Sequence, residues 1–146
     1  MSETGGSAKR PGSILFVCGM NAIRSPMAEA IARSVLPGTY VASAGVKDGE
    51  RDPFVDVILA EEGLNLGDRK PQKYEDLADG FFDLIVTLSP EAHHAAMSAT
   101  ESDATAVEFW PMPDPSAVSG SRGQILEAYR DLFRRIKARL DEFGRR

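Results

Sequence analysis

Ser13-Ile14-Leu15-Phe16-Val17-Cys18-Gly19-Met20-Asn21-Ala22-Ile23-Arg24-Ser25-Pro26 reads as a strand, a short loop and the opening of a helix. The apolar run before Cys18 is that of a strand buried on both faces. Ser25-Pro26 has the form of a helix start, a side-chain cap followed by a proline at the first helical position. A strand that feeds a helix through a tight loop is the unit from which parallel sheets are built.

Outward from this unit the same alternation continues. Residues 39–43 (TYVAS), 82–88 (FDLIVTL) and 104–110 (ATAVEFW) read as three further strands. Asp52-Pro53 and Ser89-Pro90 repeat the helix-start device, and Gly38 and Gly63 are placed to end helices with a left-handed residue. Ser121 and Gln124 have the spacing of a capping box. Leu126, Tyr129, Phe133, Ile136, Leu140 and Phe143 then recur every three or four residues, the stripe of a helix packed on a sheet. The expectation is one α/β domain over residues 13–146, in the order βαβαβαβα with right-handed crossovers. Residues 1–12 are polar and rich in glycine and serine, as in a flexible tail, with no apolar stretch of a signal peptide.

The loop after the first strand carries the chemistry. Ligands of open α/β sheets bind at the carboxyl ends of the strands. A loop entering a helix there turns backbone N–H groups toward an anion, and the helix dipole adds positive potential. Arg24 supplies a planar fork for two phosphate oxygens. The same field favours thiolate over thiol, so Cys18 is expected to ionise below the usual value of about 8.5, aided by a hydrogen bond from Ser25. The competing reading of Cys18 is a buried structural cysteine. Asp114-Pro115, taken alone, is equally a turn.

With 146 residues, 42% apolar and 27% charged, the chain is an ordinary globular domain. Its net charge of −5 argues against a nucleic-acid partner, and any anionic ligand needs a local positive site. No apolar run has the length of a membrane span. A single cysteine forms no intrachain disulfide and favours a reducing, cytoplasmic setting. The sequence leaves the oligomeric state open. His93-His94 lie about 100° apart on a helix, which argues for surface placement over a shared metal.

Taken together, Cys18, Asn21, Arg24, Ser25 and Pro26, followed by Ser43-Ala44-Gly45 and Trp110-Pro111-Met112-Pro113-Asp114-Pro115, resemble the low-molecular-weight protein tyrosine phosphatases over nearly the whole chain. The resemblance implies a three-layer fold, with a four-stranded parallel sheet in the order 2-1-3-4 between helices on both faces. It implies hydrolysis of a phosphorylated protein or small phosphomonoester, without metal or cofactor. Cys18 would be the nucleophile, Arg24 the phosphate fork and Asp114 the general acid and base. Gly19, Met20, Asn21, Ala22, Ile23 and Ser25 would complete the phosphate loop.

The chain departs from the family pattern in five places. Met20 stands where the family has glycine, and Ile23 where it has a second cysteine, so no disulfide can protect the nucleophile and irreversible oxidation is expected. Ser116 and Ala117 replace ring-flanking aromatics, and Val46, Lys47 and Asp48 offer none. The histidine that braces the loop asparagine is replaced near Asp68. Two other functions stay open. One is arsenate reduction with an external thiol, and the other is non-catalytic binding of an oxyanion or phosphoprotein.

Overall fold

A computed structural model describes residues 10–20, 22–77, 80–100 and 105–146. Four parallel strands, β1 (Ser13–Cys18), β2 (Tyr40–Gly45), β3 (Leu84–Thr87) and β4 (Ala106–Phe109), form one sheet in the order β2-β1-β3-β4. The helices are α1 (Arg24–Val35), α2 (Pro53–Glu61), α3 (Pro90–Thr100) and α4 (Arg122–Gly144). This is the expected α/β fold and strand order. The register sets Cys18 opposite Gly45 and Val17 opposite Thr87, so the central strand ends level with its neighbours.

The strands bury both faces because successive side chains point to opposite sides. Ile14, Phe16 and Cys18 join a core with Met27 and Ile31 of α1, Ile58 of α2 and the α4 stripe. Leu15 and Val17 face the other way, against Ala92 and Ala96 of α3. Three helices therefore cover one face and α3 the other. In α4, Tyr129, Phe133, Ile136, Leu140 and Phe143 are buried as expected, and Leu126 packs at the margin. Leu132, outside the anticipated stripe, is fully buried as well. Trp110 closes the end of β4, 1% exposed, with its ring centroid 6.3 Å from Phe16 and 5.6 Å from Phe143.

The helix ends follow the sequence signals with one exception. Asp52 caps α2 by accepting from Phe54 N at 2.8 Å, Ser89 accepts from Ala92 N at 3.2 Å, and Ser121 with Gln124 forms the capping box of α4. Gly38 and Gly63 have φ of 90° and 73°. Ser25, however, is not a cap: α1 begins one residue earlier and has no side-chain cap. The Ser25 hydroxyl turns inward instead. Pro11 and Gly12, at the inner end of the segment expected as a tail, are tied to the sheet through Thr39 Oγ1 (3.3 Å) and Tyr40 N (3.0 Å).

Candidate active site

Cys18 is the last residue of β1 and 2% exposed. Its side chain belongs to the main core and also forms part of the floor of an open cleft of about 860 Å³. Pairing continues past the strand end: Val46 N donates to Cys18 O at 3.0 Å and Lys47 N to Gly19 O at 2.8 Å. The segment that follows Cys18 is thereby fixed from the β2 side. Ser25 Oγ lies 2.9 Å from Cys18 Sγ and 3.3 Å from Ala44 O, which is where the misplaced cap finds its partners.

Arg24 and Asp114 line the same cleft as Cys18. Trp110 N donates to Thr87 O at 2.8 Å and Met112 N to Leu88 O at 3.1 Å, so the loop after β4 is led back across the end of β3. There Arg24 NH1 donates to Met112 O at 3.2 Å, joining two segments 88 residues apart. Asp114 is exposed, and its Oδ1 accepts from Ser116 N (3.0 Å) and Ser116 Oγ (2.6 Å), capping a short 3-10 turn, Pro115–Ala117. Asp114 thus forms the turn that its sequence suggested and also lines the cleft.

Gly19, Met20, Ala22 and Ile23 also line the cleft, while Asn21 lies outside the described residues. Gly19 is buried and Met20 is 52% exposed. Gly49, on the loop after β2, stands so close to Met20 that a Cβ there would overlap the Met20 carbonyl oxygen. From the far wall, Tyr129 donates to Asp52 Oδ2 at 2.8 Å. Burial, then the bond to Asp52, holds the Tyr129 phenol well above its ordinary range.

Sequence reasoning missed the support behind the loop. Glu29 of α1 is 2% exposed and accepts from Ser43 Oγ at 2.6 Å. Its carboxylate is paired with Arg33 at 2.8 Å and with Arg69 at 3.2 Å. Arg69 and Gln72 also donate to Ser43 O, at 3.4 and 2.9 Å. Burial pushes the Arg69 guanidinium below its ordinary value, against the opposing pull of Glu29. The only available signal was a glutamate on the apolar side of a helix at the end of a Ser-Pro-x-Ala-Glu run.

His93 is not a surface residue as expected: it is half-buried, stacked 4.7 Å from Phe109 and hydrogen bonded to Thr87 Oγ1 at 3.0 Å. His94 is exposed. Among the described residues no group of three His, Cys, Asp or Glu side chains is arranged to hold a metal. No helix among them is long and apolar enough to cross a membrane.

The arrangement has recognisable relatives. "Probable low molecular weight protein-tyrosine-phosphatase EpsP" of Ralstonia solanacearum is 29% identical over 112 residues, covering 70% of this chain and 77% of the relative. "Glutaredoxin arsenate reductase" of Synechocystis sp. is 24% identical over 129 residues, covering 88% and 92%. The crystal structure of the Erwinia amylovora tyrosine phosphatase AmsI shares the fold, with a TM-score of 0.77 at 22% identity over 96% of this chain and 94% of that one. Residues 13–145, from the first residue of β1 to the end of α4, match the profile described as low molecular weight phosphotyrosine protein phosphatase. With that match over nearly its whole length, the chain belongs to the low molecular weight phosphotyrosine protein phosphatase family.

Proposed function

We propose that the chain hydrolyses phosphomonoesters, of the phosphotyrosine type, through a phosphocysteine on Cys18. The observation that carries this reading is that Cys18 and Arg24, from one strand-loop-helix segment, and Asp114, from a second segment far along the chain, line one cleft. The Cys18 thiolate attacks phosphorus as the ester P–O bond breaks, and Asp114 gives its proton to the departing oxygen. Arg24 and the amides of residues 19–24 hold the equatorial oxygens as charge spreads over them. Water then attacks the phosphocysteine, its proton passes to Asp114, the S–P bond breaks and inorganic phosphate leaves. A reducing, cytoplasmic setting suits the single thiol.

Turnover of para-nitrophenyl phosphate at mildly acidic pH tests the reading. Cys18→Ser is expected to abolish turnover, and Asp114→Ala to slow it by about 10²–10⁴. Full activity in Cys18→Ser overturns the mechanism. The similarity to an arsenate reductase of the glutaredoxin type favours one second reading, arsenate reduction resolved by an external thiol, since this chain has no further cysteine to relay a disulfide. Arsenate reduction that depends on added glutathione and glutaredoxin, without phosphatase turnover, selects it.

A further inference from the structure

The cleft that is read as a phosphate site is rimmed by negative charge. Asp48, Glu50 and Glu91 are exposed and line it together with Cys18, Arg24 and the proposed acid Asp114, whose protonated form adds no charge to the rim. Asp52 lines it too, but its oxygens are engaged by Tyr129 and by the α2 cap. The nearby cations are largely engaged elsewhere: Lys73, which interacts with Asp48, pairs with Glu75 at 2.7 Å, and Arg69, which interacts with Cys18, pairs with Glu29 at 3.2 Å. Arg51 lines the cleft with its guanidinium spent on Asp56, at 3.1 and 2.8 Å. Lys47 pairs with Glu91 at 3.4 Å, but it is 71% exposed, so the pair is weak and screened. Arg24 also lines the cleft, with its guanidinium donating to Met112 O at 3.2 Å.

Two glycines leave room at the loop where a side chain would crowd it. Glu91 Oε1 lies 3.1 Å from where a Cβ of Gly19 would be, so a side chain at position 19 would push the carboxylate away. A Cβ on Gly49, between Asp48 and Glu50, would overlap the Met20 carbonyl oxygen, so the two loops approach closely there.

An acidic rim on a chain of net charge −5 opposes any purely anionic substrate beyond the reach of Arg24. We infer that the substrate carries Lys or Arg side chains next to its phosphoryl group, that is, a phosphorylated protein segment with basic flanks. The inference rests on the phosphatase reading and names the substrate class of the same site. The rim rejects as well as selects. Acidic residues flanking the phosphoryl group meet Asp48, Glu50 and Glu91 as like charges, which sharpens discrimination.

The test compares three phosphotyrosine peptides identical except for Lys, Ala or Asp on both sides of the phosphoresidue, with para-nitrophenyl phosphate alongside. At low salt the Lys peptide is expected to exceed the Asp peptide in kcat/KM by roughly ten-fold, from a few exposed pairs each worth about two- to five-fold. The difference is expected in KM, and it should shrink as ionic strength rises past about 0.1 M. Asp48→Asn with Glu50→Gln is expected to collapse the ratio toward one, whatever the absolute rates become. Turnover of para-nitrophenyl phosphate with no preference, or with preference for the Asp peptide, overturns this inference alone. Loss of all turnover overturns the phosphatase reading and this inference with it.

Discussion

Ser25 Oγ is 2.9 Å from Cys18 Sγ and 3.3 Å from Ala44 O, and it has one proton to give. Beside a neutral thiol the hydroxyl can bond Ala44 and accept from sulfur. Beside a thiolate it can turn its proton to the sulfur, and a hydrogen bond to a charged acceptor is worth about 1.5–3 kcal/mol. Ser25→Ala is therefore expected to lower kcat by about 10- to 100-fold and to slow alkylation of Cys18 by iodoacetamide at neutral pH. An unchanged alkylation rate in a folded Ser25→Ala protein would count against this role.

The two arginines on Glu29 should not be equivalent. Arg69 is 15% exposed and Arg33 52%, so solvent screens the second pair far more than the first. Arg69→Met is expected to destabilise the fold by about 2–3 kcal/mol, because a buried carboxylate loses a charged partner. Arg33→Met is expected to cost under about 1 kcal/mol. Urea unfolding of both variants measures the difference, and equal losses would contradict it.

Tyr129 offers a pH signature. Its phenol is held above the ordinary value by burial and by Asp52, so the folded state favours the protonated form. That contribution is fully present below the unfolded value of about 10 and is lost as pH rises through the higher folded value. Tyr129→Phe is expected to weaken the protein at neutral pH by about 1–3 kcal/mol, through loss of the bond to Asp52. It should also flatten the fall in stability above about pH 10. Thermal melts of both proteins from pH 7 to 11 compare the slopes; parallel curves would remove Tyr129 from the account.

Gly49→Ala tests the loop contact. The added Cβ overlaps the Met20 carbonyl oxygen, and neither partner is the end of a flexible side chain. The backbone must move, at about 1–3 kcal/mol for such overpacking, and the displacement should reach the phosphate loop. A fall in kcat/KM larger than the fall in melting temperature explains is expected. Gly123→Ala, whose Cβ would meet only Ser121 Oγ at 3.8 Å, is the matched control.

Much of the architecture was legible because its signals are local. Apolar runs marked β1 and β3, and the capping box and stripe marked α4 with both ends nearly right. The sequence misled at Ser25 because Ser-Pro before an apolar run has the form of a cap, while the decisive partners, Cys18 and Ala44, come together only in the sheet. The brace around Glu29 was invisible for the same reason, since Arg69 lies 40 residues away and Ser43 on another strand. His93 was misjudged because nothing in its neighbourhood announces Phe109 as a stacking partner.

The chain has one sulfhydryl, and it lies on the floor of the cleft. A thiol-directed dye can therefore label this protein at a single atom, with no background from other positions. On the proposed reading, vanadate or phosphate is expected to protect that atom from the dye, which tests occupancy of the cleft without any assay of turnover.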